Sequence, residues 1–527
     1  MAFVITAELP LGVYRGAAPD GRPEPMPSLA RLHSALLCAA GFGPRAVPRP
    51  DGGLDLADPD VTALRWLEDH PPDAMRVPDL VVTIGRATAY RDDGTIKKSG
   101  RVLGIKKLGK SPDSGTAVGG TFEWVWHTPP PAPVLAAIES LCSDVAHLGT
   151  TESPVRLTAA QPGDTDPTHT ADDAAGLFTP GAEGVTRPLP GRTTALVHAH
   201  EARTARPPSV RSDRHGTDEK SAVEPPPSVA LDTRWYRRLG ARSTPVPWSR
   251  AVLVPMDHVV RPRDQVVGAR AVHRALVRLV GDGAPPSVTG VHPPGGPRPA
   301  NHVAIQFLDA AAAGLLSSPW PASAAPRTLL AVLLPDGMAS TDAEVLLDAL
   351  GRLNLLRGPG GRHVALWPGD LTVVDGDRFW RPPGPGEVRL WWTASPAVPD
   401  SRGAPGWGFA QAALLSLGFV WKAHLPPAGG RGAARDEALA AQVAERGAAA
   451  VLVRAVRDSD TSRYAHRVNA DAVVRPYRAC LHLGDLAGPG TVQAVGQSRH
   501  LGGGLLVPLD VPEGTPVDRI TLPGGAR

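Results

Sequence analysis

The sequence predicts an α+β chain built from several small domains. Short apolar strand-like runs alternate with amphipathic helical stripes, and the stripes end on glycine stops. Gly and Pro, 57 and 58 of 527 residues, punctuate the chain too often for one continuous domain of this length. Such breakers make up about a fifth of the residues, just short of a disordered composition, and the 42% hydrophobic content still allows substantial cores.

A first strand is expected in residues 3–11, after which Pro27-Ser28 opens a helix with Leu29, Leu32, Leu36 and Ala40 at helical spacing and Gly41 as its stop. Strands are expected at 80–84 and 122–126. A second helix is expected over 134–148, where Val134, Ile138, Leu141, Val145 and Leu148 form one stripe and Gly149 ends it. Strand, helix, strands, helix is the order of a ferredoxin-like unit.

Residues 158–230 are rich in Thr, Pro, Asp, Arg and Ala, with Phe178 their one aromatic residue. A segment of that composition buries too little apolar surface to offset its ordering entropy and reads as a flexible linker. Its histidines, His169, His198, His200 and His215, are irregularly spaced and read as solvated rather than metal-binding. Beyond it, strands at 251–256, 287–292, 303–308 and 328–334 with helices at 265–280 and 343–355 form a second unit. Strands at 388–394, 449–456 and 477–483, with a helix after Gly406, form a third. The expected architecture is therefore α+β with tandem ferredoxin-like domains: one in 1–157, a disordered linker over 158–230, and two in 231–527.

The formal charge is only +3, from 55 basic and 52 acidic residues, which excludes a uniformly basic coat and leaves local patches open. Cys38, Cys142 and Cys480 stand far apart, so neither a zinc ribbon nor a disulfide framework is available, and a reducing, cytoplasmic setting is expected. The N-terminus shows no export signal, and no uncharged apolar run of about 18 residues suggests a membrane span.

Residues 97–110 hold Lys97, Lys98, Arg101, Lys106, Lys107 and Lys110 without an acid, including five of the chain's seven lysines. Composition leaves two readings open, a solvated loop and a surface that neutralises phosphates. Near the C-terminus, Arg499-His500 precedes Gly502, Gly503 and Gly504, whose amides can form an anion-binding nest or a plain turn. This is not a P-loop, because no Gly-Lys-Ser/Thr follows. His292 and His302 flank a Gly/Pro-rich loop between two expected strands. Imidazoles there can exchange protons with a ribose 2′-hydroxyl and a departing 5′-oxygen, or be merely structural. His273, inside a helix, reads as a surface residue. No His-Glu-x-x-His, Gly-x-Ser-x-Gly or metal-spaced carboxylate cluster is present, so no metal or cofactor is expected.

Five segments taken in order resemble one family, the fused "Cas five–Cas six" RNA-processing subunit of type I-G (formerly I-U) CRISPR systems, of the RAMP superfamily. Pro27-Ser28-Leu29-Ala30-Arg31-Leu32-His33-Ser34-Ala35-Leu36-Leu37 is similar to its Pro-Ser-x-x-Arg-Leu-x-x-Ala-Leu segment, and Leu148-Gly149-Thr150-Thr151-Glu152-Ser153-Pro154-Val155 to its Leu-Gly-x-x-Glu-Ser-x-Val motif. Thr289-Gly290-Val291-His292 with Asn301-His302-Val303-Ala304, Trp392-Thr393-Ala394-Ser395-Pro396-Ala397-Val398, and the Arg-His-x-Gly-x-Gly-Leu loop from Arg499 to Leu505 complete the series. The sequence departs from the family pattern at Val291, which interrupts Ser/Thr-Gly-His, at Asn301-His302, where the family often carries a histidine pair, and at Leu506, where an aromatic is usual.

The resemblance implies a first module that holds the 5′ handle of a CRISPR RNA and a second that cuts the repeat by metal-independent 2′-hydroxyl attack. It implies His292 and His302 as catalytic residues, and Arg31, the cluster at 97–110, Arg499, His500 and Gly502 to Gly504 as RNA contacts. Implied partners are repeat RNA and the backbone and large subunits of a Cascade complex in antiviral defence, with no membrane. A subunit that binds RNA without cutting it is the alternative.

Overall fold

The computed structural model describes residues 2–17, 23–50, 52–83, 89–99, 102–110, 115–160, 166–179, 181–204, 227–239, 245–292, 299–317, 328–357, 363–368, 371–401, 406–466 and 475–520. The fold is mixed α/β with several antiparallel sheets, divided into two units, Met1–Ala241 and Arg242–Arg527.

The principal elements of the first unit are β1 (Phe3–Glu8), α1 (Leu29–Phe42), α2 (Asp58–Asp69), β2 (Ala74–Arg76), a hairpin of β3 (Ala89–Ser99) and β4 (Val102–Lys110), β5 (Thr121–Trp126), α3 (Ala132–Asp144), β6 (Arg156–Ala160), β7 (His169–Ala171), β8 (Ala182–Pro188), α4 (Arg192–Thr204) and β9 (Leu231–Arg238). Seven strands form one antiparallel sheet in the order β6–β1–β5–β2–β7–β9–β8. Phe3, Ile5 and Ala7 alternate along β1 into a core that also holds Leu32 and Leu36 of α1 and Ile138 and Leu141 of α3. The cap of α1 is as expected: the Ser28 hydroxyl accepts the Arg31 N–H. The stop is later, because the helix continues through Gly41 and Phe42, and Gly43 N–H closes it on Ala39 O.

The stretch expected as a linker is partly structured instead. Of residues 158–230, β7 and β8 join the large sheet, and α4 is tied down by the carboxylate of Glu68 on α2. That carboxylate accepts the N–H groups of Gly191 (2.8 Å) and Thr193 (2.6 Å) and the Thr193 hydroxyl (2.5 Å). Composition missed this because the order comes from backbone pairing and from a polar partner some 120 residues away, not from apolar side chains. His169 is buried rather than solvated, while His198 and His200 are exposed on α4; His215 lies outside the described residues.

The principal elements of the second unit are β10 (Trp248–Met256), α5 (Gln265–Val280), the short α6 (Pro286–Thr289), β11 (Ala304–Asp309), β12 (Thr328–Pro335), α7 (Ser340–Gly351), β13 (Thr372–Asp375), β14 (Glu387–Thr393), α8 (Phe409–Trp421), α9 (Ala433–Glu445), β15 (Ala448–Ala455), β16 (Tyr477–Leu483) and β17 (Leu506–Pro512). Its two four-stranded sheets run β11–β12–β10–β13 and β15–β16–β14–β17. Counted along the chain, each has the order 2-3-1-4, which β6–β1–β5–β2 repeats from the opposite edge.

Val266, Ala269, Val272 and Leu276 give α5 its buried stripe, and all eight residues of β12 are buried. One apolar core, containing Trp248, Leu329 and Leu333 as well as Trp391, Trp392 and Leu481, serves both sheets. The strand expected at 287–292 is absent. Pro286 begins α6, and Gly290, at φ +70°, ends it with its N–H on Pro286 O.

Candidate active site

Gly290 turns the chain out of α6 so that His292 follows at the start of the Gly/Pro-rich loop, and His302 stands two residues before β11. Residues 293–298 of that loop lie outside the described residues. The two half-buried rings nevertheless meet, with His292 Nε2 3.4 Å from His302 Nδ1 and ring centroids 4.9 Å apart. Burial, then the positive potential of His292 and Arg499, hold the His302 imidazole below the usual histidine range, so at neutral pH it carries a free lone pair.

Three further groups hold His302 in place. The Trp248 indole N–H donates to His302 O (2.9 Å), the His302 N–H donates to His500 Nε2 (3.3 Å), and the neighbouring Asn301 amide donates to Val420 O at 2.8 Å. The loop carrying His500 therefore comes from the second sheet to the edge of the first, where Leu501 forms a parallel bridge to Ile305. Gln306 of β11 donates from its side-chain amide to Arg499 O (2.6 Å) and Gly503 O (3.3 Å), fastening the same loop.

The C-terminal loop does not form the open anion nest its glycines suggested. Gly503 N–H donates to Ser498 O and Gly504 N–H to Pro396 O, and all three glycines are buried. A Cβ on Gly502 would lie 2.5 Å from Gln265 O, and one on Gly504 1.9 Å from Val495 O. Both have positive φ, so these positions need glycine for close backbone packing.

Arg499, expected on phosphate, is 2.6 Å from Asp400 Oδ1, and Asp400 also accepts the Ser416 hydroxyl. His500 is half-buried against Trp248 and His302 rather than open to solvent. His273 is no plain surface residue either: its Nε2 lies 2.8 Å from Val288 O of α6. The role of Asp400 had no local signal, since it sits in an irregular loop and acquires its partner 99 residues away.

In the first unit, Arg31 pairs with Glu24 (2.9 Å) on the wall of a cavity of about 1330 Å³ between α1 and α4. Lys97 and Lys98 lie on β3 and Lys106, Lys107 and Lys110 on β4, so the basic cluster is a two-stranded hairpin rather than a loop. Lys97 is opposite Gly104 and Lys98 opposite Leu103; Arg101 and the hairpin's side chains lie outside the described residues. Among the described residues no group of three His, Cys, Asp or Glu is placed to hold a metal ion, and no helix is long and apolar enough to cross a membrane.

No family model matches the chain, and no curated protein matches it. Among solved structures, a "Cas6 product complex" aligns with 19% identity and TM-score 0.28, covering 50% of this chain and 100% of that one. A "CRISPR associated protein Cas6" aligns at 10% identity and TM-score 0.27 (50% and 99% covered), and Thermus thermophilus Cas6 at 17% and 0.24 (50% and 100%).

Proposed function

We propose that the chain is a metal-independent endoribonuclease that processes CRISPR repeat RNA, with His292 and His302 as its proton-transfer pair. The observation that carries this reading is the 3.4 Å approach of the two imidazoles, with burial first among the causes that keep His302 neutral.

In the proposed reaction His302 takes the proton of a ribose 2′-hydroxyl, whose oxygen attacks the adjacent phosphorus. The P–O5′ bond breaks as His292 protonates the departing 5′-oxygen, leaving a 2′,3′-cyclic phosphate and a 5′-hydroxyl. The proton taken by one ring balances the proton given by the other.

The three sheets of matching strand order are the proposed ferredoxin-like units, one in Met1–Ala241 and two in Arg242–Arg527. The first unit holds the 5′ handle, with the hairpin lysines as its phosphate contacts, inside a Cascade assembly of type I-G. Arg499 and the amides of Gly503 and Gly504 leave the list of RNA contacts, because Asp400, Ser498 and Pro396 already occupy them.

The pairing of Arg499 with Asp400 also favours a second reading, a subunit that binds RNA and cuts nothing, since it removes a cation expected on the reacting phosphate. Incubating the purified protein with a cognate repeat in EDTA separates the two readings. Cleavage to a cyclic phosphate supports the nuclease, and salt-dependent binding without cleavage supports the other.

A further inference from the structure

We infer that His500 is a positioning residue: its imidazole, as the Nδ1–H tautomer, accepts the His302 backbone N–H on Nε2 and so fixes where the His302 ring stands. The inference rests on the reading of His292 and His302 as the proton-transfer pair, and it takes His500 away from RNA.

The geometry is specific. His302 is held at both ends of its own backbone, at the carbonyl by the Trp248 indole and at the amide by His500 Nε2. His500 is itself fixed, because its carbonyl accepts the Ile305 N–H (2.9 Å) and its ring packs edge-on to Trp248 with centroids 6.1 Å apart. A main-chain N–H can donate only to a bare ring nitrogen, so the neutral ring must carry its proton on Nδ1.

Protonation would make both ring nitrogens donors and break this contact. Burial, then the charge of Arg499 and the charges His302 and His466 would carry if protonated, push the His500 imidazole well below its usual range, so the acceptor persists through neutral pH. The pairing of Arg499 with Asp400 tempers the first of those charges.

The test uses the full-length protein labelled with ¹⁵N-histidine, with H500Q and H302A assigning the signals. The wild type is expected to show His500 as a neutral Nδ1–H ring at pH 7, and H500L to shift the His302 amide signal. In single-turnover cleavage of repeat RNA, H500L should lower kcat about tenfold or more with KM unchanged, while H500Q, whose side-chain oxygen replaces Nε2, restores the rate to within about threefold.

An Nε2–H or charged ring in the wild type, or H500L cutting at the wild-type rate, would overturn the inference. If the wild type cuts no repeat RNA, the nuclease reading falls, and the tautomer and the His302 amide signal decide the positioning contact without it. Should H500L not fold, the wild-type tautomer and the H500Q rate still decide the matter.

Discussion

Asp400 Oδ1 lies 2.6 Å from Arg499 Nη1, and both side chains are almost removed from solvent. Replacing Asp400 with Ala would leave a guanidinium enclosed without its partner, and a loss of about 3 kcal/mol in urea unfolding is expected. Because the pair is internal, R499A should lower stability while leaving the salt slope of RNA binding unchanged. A slope reduced by about one would return Arg499 to the phosphate backbone.

Glu68 acts at a distance on α4. Burial pushes its carboxyl up, but hydrogen bonds from His33, Thr193 and Gly191 outweigh this and hold it at about 2, against an ordinary 4.5. A depressed carboxylate contributes stability that is fully present above the ordinary value and is lost as pH falls toward the folded one. E68Q should therefore cost on the order of 2 kcal/mol at pH 7, with the gap to wild type narrowing by about 1 kcal/mol at pH 3.5. Urea titrations at the two pH values measure it, and a gap independent of pH would mean that the carboxylate charge contributes nothing.

Gly504 distinguishes packing from an anion nest. Its φ of +64° and the 1.9 Å approach that a Cβ would make to Val495 O predict a destabilisation of about 2 kcal/mol or more for G504A, seen as a lowered thermal midpoint. Weakened RNA binding at unchanged stability would favour the nest.

Rates should report the shifted imidazole. If His302 is the base, the acid limb of single-turnover cleavage has its midpoint below pH 6.5, because the ring protonates below its ordinary value of 6.5. An acid limb with its midpoint above pH 6.5 would assign the base elsewhere.

Much of this organisation was legible before the structure, and the reason is local. The strand Tyr477–Leu483 has the bounds that its apolar run marks, and α5 spans the expected residues because its stripe is regular and its Gly281 stop adopts positive φ. His292 and His302 stood out because both flank one Gly/Pro-rich loop, and their nearest ring nitrogens lie 3.4 Å apart. What remained hidden depends on distant partners. Thr193 is ordered by Glu68 and Arg499 is withdrawn by Asp400, and neither pairing leaves a periodic trace in its own segment. The segment 287–292 was expected as a strand, but Pro286 and Gly290 bracket a single helical turn. The basic cluster at 97–110 was read as an exposed loop from its charge density, yet backbone pairing makes it a hairpin.

The central claim is that the His292–His302 pair transfers protons in RNA cleavage without metal. The most direct measurement is cleavage of the cognate repeat in EDTA by wild type, H292A and H302A, with folding checked by circular dichroism. Each variant should lose about 100-fold or more in rate while its RNA affinity changes little. Wild-type rates in both variants would contradict the account.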